Sequence, residues 1–290
     1  MGNPQQTVFI TGGTDGLGRA AALLLAEKGY RVFAAGRSAE KRAELDRLAA
    51  SKKLPVESVE LDVCNDASVS RAVQLVIQKA GAIDVLINNA GVGFMAVVEE
   101  LKLDDLRRQY ETNVFGLLRV TQAVLPHMRE RKAGRILMLS SVAGIVTPPT
   151  YGAYSSSKHA VEALSNALRL ELYPFNIEVI LIEPGYIMTN FQQTAKELAQ
   201  SYVEGSAASP YAKVYTAALA AASSSRRESK TTPEDCARVI LDAIESNHPK
   251  ARYTVTPLAK WASIGRRLLP DTLMDSFLRR KFGIVREEED

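Results

Sequence analysis

Cysteine, histidine and tryptophan are scarce in this chain, at two, three and one among 290 residues. Cys64 and Cys236 are far apart in sequence and the histidines are scattered, so neither type forms a metal-ligand pattern and no metal site is expected. Two thiols in a chain this long suit a reducing compartment, and a cytoplasmic location is the expectation. No apolar stretch approaches the roughly 20 residues that span a bilayer. The first apolar run, Thr7 to Ile10, begins almost at once, which leaves no room for a charged leader and a signal-peptide core, so export is not expected. Gln6 stands where a myristoylation signal at Gly2 would want Ser or Thr. Charge of one sign is missing too. A net charge of +3 with bases and acids interspersed lacks the basic stripe of a nucleic-acid binder.

What is present is a regular alternation. Short β-branched apolar runs (TVFITG, RVFAAG, VESVELDV, DVLINNAG, GRILMLSS, IEVILIEPG and ARYTV) are separated by segments of helical spacing, among them Leu17–Lys28, Ala67–Ala80, Leu103–Arg129 and Ser155–Leu172. Runs apolar on both faces predict a parallel sheet covered by helices on both sides. The expected fold is therefore α/β, a doubly wound parallel sheet (Rossmann fold) of about seven strands in a single domain. A chain of 290 residues that is 46% hydrophobic can bury the core this requires. The small-and-polar stretch Ala220 to Lys230 reads as a mobile loop.

The segment TGGTDGLGRAA follows the first strand run and opens the first helix. Gly16, Gly18 and Ala21 fit the dinucleotide fingerprint G-x-G-x-x-G/A. Glycines there let backbone N–H groups approach a pyrophosphate at the positive end of a helix. A phosphate loop of the nucleotide-hydrolase kind fails, because Arg19 and Ala20 stand where Lys and Ser or Thr belong. NAD sites usually carry an acid at the end of the second strand. Here Gly36, Arg37 and Ser38 leave space and a charge-assisted donor for a 2′-phosphate, so NADP(H) is favoured over NAD(H); a solvated surface arginine is the plain alternative.

The stretch YGAYSSSKHA places Tyr154 and Lys158 four apart, on one face of a helix, whereas Tyr151 lies two turns from the lysine. A phenol is a poor acid or base at neutral pH unless its anion is stabilised. A cation at about 4 Å, with an effective dielectric of about 20, contributes roughly 4 kcal/mol, enough to draw a phenol from near 10 towards neutrality. The expectation is thus a Tyr154 whose pKa is depressed by Lys158. An ordinary solvated Tyr and Lys would share the spacing.

In combination these motifs resemble the short-chain dehydrogenase/reductase family over roughly Thr7 to Asn190, and more weakly to Val255. The resemblance is carried by TGGTDGLG, NNAG at Asn88–Gly91, a serine thirteen residues before the tyrosine, YSSSK, and Pro184–Gly185. It implies that Tyr154 is the catalytic acid/base, that Lys158 binds the nicotinamide ribose and depresses the tyrosine, and that Ser141 rather than Ser140 orients the substrate. Asn113 matches the family's helix-kinking asparagine, and Tyr151 a wall of the pocket. For the cofactor it implies Gly12, Thr14, Asp15, Gly16, Leu17 and Gly18 in the first loop, and Arg37 after the second strand. Asp62 and Val63 would lie at the adenine, Asn88 with Asn89, Ala90 and Gly91 on the adenosine ribose side, and Pro184, Gly185, Ile187 and Thr189 at the nicotinamide, joined by Tyr154 and Lys158. Asp15 departs from pattern, since some NADP-preferring members have a base there.

The reaction implied is interconversion of a carbonyl and an alcohol, with reduction preferred. The catalytic domain would span 1–257, with a substrate lid over about 190–230. Phe191, Tyr202, Tyr211 and Tyr215 in that lid suggest a hydrophobic substrate such as a steroid, retinoid, acyl-lipid or aromatic ketone, unless they are core packing. A helical extension over 258–290 carries Trp261, Ile264, Leu268, Leu273, Phe277 and Leu278 flanked by Arg266, Arg267, Arg279, Arg280 and Lys281. That pattern suits a membrane surface or a lipid-like substrate entrance, or an arm packed on its own domain or a partner. The resemblance favours a homodimer or homotetramer through the helices at Leu103–Arg129 and Ser155–Leu172. An NAD-dependent alcohol dehydrogenase and a non-catalytic dinucleotide sensor or scaffold are the alternatives.

Overall fold

A computed structural model describes residues 6–187 and 190–284. The elements in order are β1 (Thr7–Thr11), α1 (Gly16–Glu27), β2 (Arg31–Gly36), α2 (Ala39–Ser51), β3 (Val56–Glu60), α3 (Asp66–Ala80), β4 (Val85–Asn88), α4 (Leu103–Tyr110), α5 (Leu117–Arg131), β5 (Gly134–Leu139), α6 (Gly152–Glu171), β6 (Ile177–Glu183), α7 (Asn190–Gly205), α8 (Ala212–Glu228), α9 (Pro233–Glu245), β7 (Arg252–Thr254), α10 (Pro257–Leu268) and α11 (Asp271–Lys281). Every anticipated strand run forms a strand. All pair in parallel in the order β3-β2-β1-β4-β5-β6-β7. The order reverses between β1 and β4, and the crevice beyond the carboxyl ends of those strands is where such sheets bind ligands.

Successive residues of each strand enter different cores. Val8 and Ile10 pack with Ala22 and Leu25 of α1, Leu45 of α2 and Ile240 of α9. Phe9 between them packs with Val73 of α3, Val124 of α5 and Val161 of α6. Burial on both faces is why the strands read as unbroken apolar runs, and truncating Phe9 to Ala would cost about 3–5 kcal/mol. Polar residues bound the helices. Asp15 Oδ1 accepts from Gly16 N–H at 2.7 Å at the start of α1, and Thr232 with Asp235 forms a reciprocal capping box on α9.

Two expectations need correction. The helix expected over Leu103–Arg129 is interrupted by a π-helical turn at Glu111–Gly116. That turn contains Asn113, whose amide is bonded to the backbone of Val92, and an extra residue per turn is a common device for aiming one side chain at a site. Ala220–Lys230 is not a loop, since α8 continues through Glu228; Ala, Arg and Glu favour the helix more than the serines oppose it.

Candidate active site

The glycine loop lies where β1 ends. Gly12 has φ +63°, a conformation that favours glycine, and a Cβ on Gly18 would fall 2.2 Å from the Gly12 carbonyl oxygen. Arg19 N–H, bonded to Asp15 O at 3.1 Å, is the first to join the helical ladder of α1. The amides of Leu17 and Gly18 before it belong to the helix's open N-terminal end, where the partial positive charge lies. This cradle fits a pyrophosphate. Asn89 holds it from β4, donating from Nδ2 to Thr11 O at 3.0 Å and Gly12 O at 2.9 Å. Thr11 Oγ1 in turn accepts from the amides of Asn89 and Ala90 at 3.0 and 3.1 Å. Thr11 was not singled out from the sequence, although a threonine at a strand's carboxyl end beside a glycine loop is a recognisable signal.

Several predicted cofactor residues are placed differently from expectation. Asn88 is buried and donates to Thr121 Oγ1 at 2.8 Å in the core, so it ties β4 to α5. The space at Gly36 is not open: a Cβ there would meet Thr14 Oγ1 at 2.3 Å, so the glycine admits the buried Thr14 side chain. Asp15, the acid that departs from the pattern of NADP-preferring members, is paired with Lys41 of α2, which offsets its charge. Lys41 was missed because the pairing spans 26 residues. Arg37 is exposed at the end of β2, and Ser38 caps α2 by accepting from Lys41 N–H at 3.2 Å. Asp62 accepts from Cys64 N–H at 3.0 Å in a local turn, and Val63 is buried against Gly116. Ile187 is in the core, Thr189 lies outside the described residues, and so do the side chains of Phe191 and Arg267.

The four predicted catalytic residues converge. Tyr154 and Lys158 share one face of α6, with Lys158 Nζ 5.7 Å from the centre of the Tyr154 ring. Lys158 is buried and donates to Leu139 O at 2.7 Å, the end of β5. Ser141, just beyond β5, hydrogen-bonds Tyr154. Its hydroxyl also accepts from Ala143 N–H at 3.1 Å. Ser140 Oγ has no hydrogen-bond partner among the described residues and faces Gly144, so Ser141 is the serine at the tyrosine. Asn113 accepts from Val92 N–H at 2.8 Å and donates to Ser157 Oγ at 3.1 Å. A Cβ on Gly91 would lie 3.3 Å from Asn113 Oδ1 and 3.8 Å from Lys158 Nζ, which puts the NNAG loop against the quartet. Gln109, one turn before Asn113 and fully buried, accepts from Phe94 N–H at 2.9 Å and steadies the same loop. The i, i+4 spacing to Asn113 was its signal in the sequence. Tyr151 stands edge-on to Tyr154 with ring centres 6.5 Å apart. The Pro184 carbonyl accepts from Val142 N–H at 2.8 Å, so the Pro-Gly loop backs the serine turn.

The electrostatics correct the expected sign for the phenol. Burial pushes Tyr154 up to about 12, with only the Ser141 hydrogen bond opposing it. Burial also lowers Lys158 to about 8 against the pull of Glu162. The attraction assumed at 4 Å is weakened by distance, by commitment of the ammonium to a carbonyl, and by desolvation of both groups, which disfavours each charged form. At neutral pH the phenol is therefore a retained proton donor. Beneath the lysine, Arg252 of β7 contacts Glu162 Oε2 at 2.9 Å and the fully buried Glu183 Oε1 at 3.0 Å.

The lid tyrosines are not walls of an apolar pocket. Tyr202 and Tyr215 are buried against Ala96 and its neighbours. Tyr202 donates to Asp105 Oδ2 at 2.6 Å and Tyr215 to Glu100 Oε2 at 2.8 Å, while Tyr211 donates to Glu99. They fasten α7 and α8 to the 96–105 segment.

Residues 6–200 match the model of the short chain dehydrogenase family. The chain belongs to the short-chain dehydrogenase/reductase family. It is an oxidoreductase of a family that uses NAD(H) or NADP(H) on small carbonyl or alcohol substrates. The chain is 32% identical to the 3-ketodihydrosphingosine reductase of Bacteroides thetaiotaomicron, over 96% of this chain and 98% of that protein. It is also 32% identical to the NADPH-dependent 3-dehydrocapnine reductase of Ornithobacterium rhinotracheale, again over 96% and 98%. A short-chain dehydrogenase from Streptomyces avermitilis has the same fold, with TM-score 0.75 and 29% identity over 94% of this chain and 95% of that one. Among short-chain dehydrogenases, this chain thus combines a fully assembled Asn-Ser-Tyr-Lys set with a tail that continues past β7.

Proposed function

We propose that this enzyme is an NADP(H)-dependent carbonyl reductase acting on an apolar, lipid-like ketone or aldehyde. The observation that carries the reading is the Ser141–Tyr154–Lys158 cluster, in which the buried phenol is hydrogen-bonded to the serine and lies one helical turn from the lysine. Reduction needs that acid. When bound, the dinucleotide supplies the hydride. Ser141 donates to the carbonyl oxygen as negative charge develops on it, and Tyr154 passes its proton to the same oxygen. Lys158, when protonated, sets a positive charge beside the phenolate that remains and offers donors to the cofactor ribose. Its burial makes that charge more effective than it would be in water.

Arg37 supports the choice of NADP(H), and Lys41 beside it adds a second cation at the same rim. The NADPH dependence named for the dehydrocapnine reductase supports the same choice. The sphingosine-derived ketone named for the other relative supports a long apolar substrate. Cys64 and Cys236 are free, in keeping with a reducing, cytoplasmic location. Phe115, Leu170 and Tyr173, exposed on or beside the helices expected to pair, support a homodimer or homotetramer.

Tyr154→Phe tests the assignment. With NADPH and a panel of ketosteroids, retinoids, acyl-ketones and aromatic ketones, its turnover should fall by about 10²–10⁴-fold. Cofactor affinity by fluorescence titration and the melting temperature should stay near wild type. Undiminished turnover refutes the role of Tyr154, and faster consumption of NADH than NADPH by the unaltered enzyme refutes the cofactor choice.

A further inference from the structure

Helix α10 is amphipathic in the reverse sense. Its small residues face the protein: Ala259 is fully buried, and Gly265 packs against the Met274 side chain of α11, with a built Cβ 3.6 Å from Met274 Cε. Its large apolar residues face out. Leu258, Trp261, Ile264 and Leu268 recur at spacings of three and four on one side, and Trp261 and Leu268 are 69% and 76% exposed. Leu273 and Phe277 of α11, one turn apart, continue the surface. Of the twelve large hydrophobic side chains exposed among the described residues, seven lie between Leu258 and Phe277. A helix evolved only to cover its own domain would point these side chains the other way.

The charges beside this face are mainly basic. Lys260, Arg266, Arg279, Arg280 and Lys281 are exposed, and of the two acids in the segment Asp271 is paired with Arg266 at 2.7 Å. A second copy of the chain would bring a like basic cluster to the interface, whereas an anionic lipid surface complements it while accepting the Trp, Leu and Phe side chains. No helix among the described residues is long and apolar enough to cross a membrane, so the pair would lie on the surface. The location also matters. Helix α10 packs against the turn Val142–Gly144 that follows Ser141, and its cap Thr256 lies where a Cβ on Gly185 would be, 2.1 Å from Thr256 Oγ1.

We infer that α10 and α11 form an interfacial docking surface for anionic lipid bilayers, set beside the serine turn of the active site. The surface would bring the site to lipid-dissolved substrate, a use that rests on the proposed function; the docking itself does not. Trp261 is the single tryptophan of the chain, so it reports on its own surroundings.

The full-length protein is titrated with vesicles of phosphatidylcholine containing a quarter phosphatidylglycerol, and with pure phosphatidylcholine. The expected result is a blue-shifted Trp261 emission, quenched by bromine on the lipid chains, with the anionic vesicles and far less with the neutral ones. Arg279→Gln/Arg280→Gln/Lys281→Gln should weaken binding about a hundredfold, and Leu273→Glu/Phe277→Glu should abolish it. Both variants alter exposed or half-exposed positions, and circular dichroism checks that they fold. Tyr154→Phe should bind vesicles like the wild type, which separates failure of docking from failure of the catalytic reading. An unshifted, unquenched Trp261 with anionic vesicles overturns the inference. So does emission that shifts with protein concentration alone and returns on Phe277→Glu, because a second copy would then be the occupant.

Discussion

Under the reacting groups, the lysine helix is held by a half-buried arginine between two buried carboxylates: Arg252 reaches Glu162, one turn past Lys158, and Glu183, just before the Pro-Gly loop. The lid is held otherwise, by phenols donated from α7 and α8 to carboxylates on the 96–105 segment. The floor joins α6, β6 and β7 and is continuous with the sheet. The lid contacts the rest through a small cluster of Ala96, Tyr202 and Tyr215. Damage to the floor should therefore spread through the whole domain, whereas damage to the lid should stay local.

The largest effect should come from Arg252→Leu. It leaves the Glu162 and Glu183 carboxylates buried side by side, and breaking a buried pair of this kind costs about 3–5 kcal/mol. Denaturant titration should show one cooperative transition at a lower midpoint. A loss confined to the lid, with an unchanged global midpoint, would contradict the distinction between the two regions.

The floor should also set the pH response. Reduction uses a protonated Tyr154, which holds its proton up to about 12, so the decline at moderately alkaline pH should come from Lys158 losing its charge near 8. Above that point kcat/KM for reduction should fall about tenfold per pH unit, and Lys158→Arg should move the fall to higher pH. The linked stability effects have opposite signs. The lysine is lowered from 10.5 to about 8 in the fold, so the unfolded chain binds more protons between those values and stability rises with pH there. The tyrosine is raised from 10.0 to about 12, so stability falls with pH across that window. Lys158→Met should remove the first trend in unfolding measured between pH 8 and 10.

Much of this was readable in the sequence because it is local. A strand buried on both faces, a glycine loop and a tyrosine four residues before a lysine are fixed by chain geometry alone. What was not readable depends on what covers a residue. Asn88 and Asn89 are adjacent and identical, and only the packing of α5 on β4 sends one into the core and the other to the glycine loop. The sign of the Tyr154 shift reversed because burial, a tertiary property, outweighs a cation one turn away. The pairing of Asp15 with Lys41 and the fastening of Tyr202 to Asp105, 97 residues earlier, are long-range contacts that spacing does not encode.

The lid should yield to a milder change. Tyr202→Phe with Tyr215→Phe removes two hydroxyls that each donate to a carboxylate and also accept from a backbone amide, those of Lys102 and Val97. Hydrogen bonds to charged groups contribute about 1.5–3 kcal/mol each. Because only the attachment of α7 and α8 is affected, hydrogen exchange should accelerate across 190–228 and remain slow in β1 and β4. KM should rise more than kcat falls. Equal acceleration in β1 would mean that lid and sheet open together.

The smallest effect should appear at the rim of the cofactor half, where the charges are exposed. Arg37 stands at the end of β2 and Lys41 one helical turn beyond it, and neither supports the core. Arg37→Asp should shift the ratio of NADPH to NADH use by about tenfold, corresponding to about 1.4 kcal/mol at a solvent-screened site. Lys41→Ala should shift the ratio in the same direction but less, because it removes one positive charge whereas Arg37→Asp replaces a positive charge with a negative one. The double variant distinguishes a shared role from independent ones. If the two cations grip one phosphate, their combined effect should be less than the product of the single effects. If Arg37 is only a solvated surface residue, Arg37→Asp should keep the wild-type ratio and the double variant should match Lys41→Ala.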